Sequence, residues 1–150
     1  MKKQLIDSLV TIFVRDLTKL ESELMLYPEE EMIWKIEKSI KNPAGNLCLH
    51  LCGNLQHFIG AVLGNTGYLR NRDLEFSARN ISRESLVKEI TQARKSIADT
   101  LPLLTEAQLL ENYPVDVFGH PMTTLHFLMH LSAHLGYHLG QVNYHRRLVG

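Results

Sequence analysis

Few of the common catalytic fingerprints occur in this chain of 150 residues. It has no G-x-S-x-G elbow, no P-loop and no G-x-G-x-x-G. These absences exclude a nucleophile-elbow hydrolase, a phosphate-cradling NTPase and a dinucleotide-binding enzyme. Excess charge is missing too: sixteen Lys plus Arg balance sixteen Asp plus Glu. Without a basic surplus no nucleic-acid partner is expected, because duplex binding rests on phosphate contacts. Cysteine is scarce. Cys48 and Cys52 stand four apart in an apolar run, which is neither a C-x-x-C redox pair nor a zinc knuckle. On a helix they share a face and read as small packing residues, and nothing calls for an oxidising compartment. No repeat, low-complexity tract or Gly/Ser/Pro-rich linker divides the chain. The basic start Met1-Lys2-Lys3 is followed by Asp7, Arg15 and Asp16, which interrupt any signal-peptide core or membrane span there. The expectation is a cytoplasmic protein with no membrane partner.

What is present is ordinary globular composition, 45% hydrophobic and 21% charged. A chain of this length is one domain, residues 1–150, and buries roughly 70% of its unfolded surface. Apolar residues recur at helical spacing in four segments. The first, about 3–26, carries Leu5, Leu9, Phe13, Leu17, Leu20 and Leu24. The second, about 43–64, opens on Asn42 as N-cap and Pro43 as first helical residue, and carries Leu47, Leu51, Leu55, Phe58 and Val62. The third, about 83–103, starts near Ser82 and carries Leu86, Ile90, Ala93, Ile97 and Leu101; the last, about 122–148, carries Leu128, Leu131, Leu135, Leu139 and Val142. Between them, 68–76 reads as a polar connection and 106–110 as a single helical turn. Residues 113–121 read as a short strand or hairpin, with a bare loop the close second. Four long amphipathic helices predict an all-α, four-helix bundle.

Histidine is the residue in surplus: eight in all, four of them between His126 and His138. On a helical wheel His130, His134 and His138 step round by about 40° each, along the flank of the last helix's apolar stripe. Such a flank faces the gap between helices, where a polar cavity can form. Two histidines one turn apart can reach a single ion about 2.0–2.1 Å from each nitrogen. The zincin H-E-x-x-H is absent, since Leu135 follows His134. A third ligand has to come from elsewhere, and His50 and His57 on the second helix are the donors available. His50 is preferred because Asn54 continues its polar flank one turn on. Gln141 and His145 extend the histidine face. A lone histidine on such a flank is usually a hydrogen-bonded core residue, and His57, His120 and His126 are read that way. His145 is read either as support for the site or as solvated.

The run His134-Leu135-Gly136-Tyr137-His138-Leu139-Gly140-Gln141 resembles the H-x-x-x-H-x-G-Q signature of the DinB-like superfamily of stress-associated bacterial proteins. Gly45–Leu55 and Tyr68–Phe76 are similar to segments of a subfamily without assigned function, so the resemblance extends over essentially the whole chain. It implies an up-down-down-up four-helix bundle, often a homodimer, with three histidines holding a divalent ion, commonly zinc or nickel. By position these ligands are His50, His134 and His138. Gln141, at the signature's final glutamine, would support them, with Asn54 a further supporting candidate; His130 is extra to the pattern and would either support the site or replace a ligand. Relatives include thiol-dependent S-transferases, a mycothiol-dependent isomerase and metal-dependent hydrolases. The resemblance therefore implies a metal-dependent enzyme that activates a low-molecular-weight thiol for transfer to an electrophilic small molecule. The alternatives are a hydrolase and a non-catalytic metal-binding stress protein. Tyr68, Arg70, Arg72, Tyr144, Arg146 and Arg147 are the candidates for binding substrate. Asp73 and Glu75 are the acids of the family-like loop.

Overall fold

A computed structural model describes all residues, 1–150. It is all-helical, without a named strand. The helices are α1 (Lys2–Met25), α2 (Ala44–Leu55), α3 (Arg72–Ser77), α4 (Arg83–Thr100), α5 (Glu106–Leu110) and α6 (Thr124–Val149). A π-helical stretch, Gln56–Ala61, continues α2 into a last turn at Val62–Gly64. The long helices pack in a ring: α1 lies against α6 and α4, and α2 closes the ring against the same two. Their stripes fill the centre with fully buried Phe13, Leu17, Leu51, Leu55, Leu86, Ile90 and Leu128. Each such side chain stabilises the fold by about 1.5–3 kcal/mol relative to exposure.

Local chemistry fixes where the elements begin. Ser82 Oγ accepts from Ser85 N–H at 3.1 Å to open α4, and Thr123 Oγ1 accepts from His126 N–H at 3.1 Å to open α6. Thr105 and Gln108 form a reciprocal capping box on the single turn of α5. The start of α2 falls one residue later than the sequence suggests. Pro43, in extended conformation, is itself the N-cap, and its carbonyl accepts from Leu47 N–H at 3.1 Å.

Three expectations need correction. The π stretch admits an extra residue per turn, so the buried stripe of the second segment runs Leu47, Leu51, Leu55, Ile59, while Phe58 and Val62 are only half-buried. The hairpin before the last helix is a loop closed by one antiparallel bridge, Asn112 to Thr123. Pro114 and Pro121 lack the N–H a ladder needs, and Gly119 turns the chain at φ 80°. The connection at 68–76 contains a helix, α3, whose Asn71 side chain accepts from Leu74 N–H at 3.2 Å.

The stretch Ala44–Gly64 is long and apolar enough to cross a membrane by length and composition, with mean hydropathy 1.3. Of that window, 61% is buried inside the protein, and the helix also buries Asn46, His50 and Asn54. Its apolar surface forms the centre of this fold.

Candidate metal centre

Side chains from α2 and α6 converge at one point in the ring. His50 comes from α2, and His134 and His138 come from successive turns of α6. One ring nitrogen from each lies within 4.8 Å of the others, close enough to bind a metal ion. Nε2 of His50 is 3.2 Å from Nε2 of His134. Two nitrogens each about 2.0–2.1 Å from one tetrahedral ion sit roughly 3.3 Å apart, so this spacing fits a shared cation. The three rings are mutually perpendicular, at interplanar angles of 80°, 87° and 89°.

The groups behind the rings decide which nitrogen each presents. Nδ1 of His50 is 3.0 Å from Glu75 Oε1. Burial alone would raise the Glu75 pKa, but hydrogen bonds from His50 and Arg70, with the Arg70 charge, outweigh it and hold the carboxyl below its usual range. An ionised carboxylate only accepts, so His50 carries its proton on Nδ1 and offers the Nε2 lone pair inward. His138 is held similarly, its Nδ1 2.6 Å from Gln141 Oε1. Burial lowers the His138 pKa against the opposing effect of that hydrogen bond. Burial, then the neighbouring His138 and His50 rings, push His134 down to about 4. Its Nδ1 is buried without a partner. Three imidazoles gathered in one place form the donor set a borderline divalent ion prefers.

Glu75 is seated by several contacts. Arg70 Nε and Nη2 donate to its two oxygens at 2.8 and 2.9 Å, as a forked pair. Asn46 Nδ2 donates to the carbonyls of Glu75 and Ala78, each at 2.9 Å, while Arg79 donates to Asn46 Oδ1 at 2.7 Å. Gly53 leaves the space: a Cβ there would collide with the Glu75 carboxylate and lie 2.8 Å from its Cδ. The two family-like segments of the sequence therefore meet, with Asn46, His50 and Gly53 facing Arg70 and Glu75.

Over residues 2–150 the sequence matches the family described as "Protein of unknown function (DUF1572)". The chain belongs to the DUF1572 family. No curated protein matches it.

The remaining site candidates of this DUF1572 protein are dispersed. Arg70 is occupied by Glu75, and its guanidinium lies 5.6 Å from the centre of the Phe58 ring. Arg72 covers the Phe76 ring at 5.2 Å, and Phe76 in turn packs on His50 at 4.8 Å. Tyr68 lines a separate depression with Gln56, Lys95 and Asp99. Arg146 pairs with Glu23 of α1 at 2.6 Å. Arg147 lies 5.0 Å over the Tyr144 ring, and Tyr144 shares a cavity with His138. His130 is exposed and stacked on Phe127 and, one turn on, His134. Asn54 is buried with Oδ1 unpartnered, and Asp73 is exposed.

His145 neither supports the cluster nor meets solvent. At 2% exposure, it takes the Tyr27 hydroxyl on Nδ1 at 2.6 Å and faces the Lys35 carbonyl with Nε2 at 2.8 Å. Cys48 and Cys52 are buried free thiols. The Cys48 hydrogen bond and burial raise Cys52 far above the usual thiol range, so this side chain offers no thiolate.

Proposed function

We propose that this protein is a DinB-like four-helix bundle, up-down-down-up, in which His50, His134 and His138 hold a divalent ion, zinc or nickel. It would use that ion to activate a low-molecular-weight thiol for transfer to an electrophilic small molecule. One observation carries the reading: three inward-facing imidazoles form the cluster, and a cavity reaches one of them, His138. Three protein ligands plus an accessible position mark a catalytic site, whereas structural sites are closed by four. When bound there, the ion would lower the pKa of a thiol or water sharing it.

The chain's own residues divide the remaining work. Glu75 and Gln141 hold the Nδ1 protons of His50 and His138, which fixes tautomer and ring direction. Burial keeps His134 neutral, ready to ligate without first losing a proton. Arg70 balances the Glu75 charge outside the cluster. The buried cysteines support an external nucleophile, since neither reaches solvent.

The test is a transfer assay with metal-loaded protein, several cellular thiols and a general aryl halide electrophile, run beside an ester panel. Thiol consumption that requires the metal and vanishes in His134→Ala is the expected result. Ester turnover without thiol transfer would assign the site to hydrolysis instead. Metal binding with neither activity would make it a non-catalytic clamp between α2 and α6.

A further inference from the structure

The cavity reaching His138 has a volume of about 400 Å³ and lies between α6 and the chain leading into α2. This is within the size range of small-molecule sites. One wall is a tight reversal. Ile40 N–H donates to the Glu37 carbonyl at 2.9 Å, Lys38 turns the chain at φ 51°, and residues 39–42 line the space. The other wall is the last helix, α6, which contributes Tyr137, His138, Gln141, Tyr144 and His145. Tyr137 and Tyr144 are 66% and 65% exposed, two large rings left open two turns apart on one face of α6, beside His138. Ile40 and Leu47 add apolar surface between the walls.

The charge of the lining is one-sided. It contains no carboxylate and one ammonium group, Lys41. Lys41 has no acidic partner, as is also true of Lys2, Lys19 and Lys38, and of these four it is the one that lines the cavity. An unpaired cation beside open aromatic and aliphatic surface is complementary to an organic anion.

We propose that this cavity binds the organic substrate as a small carboxylate with a flat, apolar body. Lys41 takes the carboxylate, Tyr137 and Tyr144 line one side of the body, and the far end faces His138. The proposal deepens the metal-site reading and rests on it only for which end of the substrate reacts.

Calorimetric titration of benzoate and of benzamide into the full chain tests it, with metal content measured on the same samples. Benzoate should bind at least about fivefold more tightly than benzamide, and Lys41→Met should remove that preference. Lys41→Arg should retain it, and Lys95→Met, on a distant surface, should leave it unchanged. Equal affinity for both probes, or no effect of Lys41→Met, overturns the proposal even if the ion is present. Benzoate affinity that vanishes on metal removal and ignores Lys41→Met assigns the contact to the ion and overturns it as well. Lys41-dependent binding by protein that retains no ion after loading with zinc or nickel upholds the cavity while refuting the metal reading.

Discussion

Glu75 Oε1 lies 3.0 Å from Nδ1 of His50, behind the ring whose other nitrogen faces the cluster. That contact makes α3 part of the site, although α3 supplies none of the three histidines. It fixes the His50 tautomer, and partners of this kind commonly alter metal affinity as strongly as a weak ligand does.

Glu75→Ala is therefore expected to weaken metal binding by about 10–100-fold with His50, His134 and His138 intact. It also leaves the Arg70 guanidinium, whose side chain is only 12% exposed, without its carboxylate. Breaking a buried pair in this way costs about 3–5 kcal/mol, readable in urea unfolding of metal-free protein. Unchanged affinity in a competitive chelator titration would remove Glu75 from the site.

Gly53→Ala separates packing from helix propensity. On propensity alone, alanine inside a helix gains about 0.8–1 kcal/mol over glycine. Here the new methyl group meets the Glu75 carboxylate, so the variant should be less stable than the parent and bind metal more weakly. A gain in urea midpoint with parental metal affinity would show that Glu75 is not seated against α2.

Acid should destabilise the metal-free fold, in part through His145. Burial lowers its pKa from 6.5, against the opposing Lys35 carbonyl hydrogen bond and Glu37 charge. Between the lowered value and 6.5 the unfolded chain binds more protons, so the stabilisation is complete above pH 6.5 and is lost as pH falls through the folded-state pKa. Urea midpoints at pH 7.5 and pH 5.5 should show a smaller drop for His145→Gln than for the parent. The drop should not vanish, because His134, His138 and His57 are lowered in the same direction. An equal drop in both proteins would mean that His145 does not contribute.

The helical architecture is legible because its signal is periodic. Leu9, Phe13, Leu17, Leu20 and Leu24 recur at steps of three and four, and every one is buried in α1. The histidine cluster is legible for the same reason: His134 and His138 are one helical turn apart, and His50 shares a polar flank with Asn54. Residues whose roles depend on distant backbone are not legible. Glu75 and Arg70 lie in a stretch that looks like a polar connection, and only the Asn46 bridge to the Glu75 and Ala78 carbonyls shows why it is ordered. A π turn leaves no periodic mark either, so Ile59 replaces Phe58 in the buried stripe without warning. The pairing of His145 with Tyr27 spans 118 residues, a separation that no spacing rule reaches.

The central claim, that His50, His134 and His138 form one metal site, is tested most directly by counting ions per chain. Protein purified, loaded with zinc or nickel and dialysed should retain one equivalent by elemental analysis. His134→Ala should retain almost none while its far-ultraviolet circular dichroism stays helical. A parent protein that holds no ion, or a helical His134→Ala that holds as much as the parent, would contradict the account.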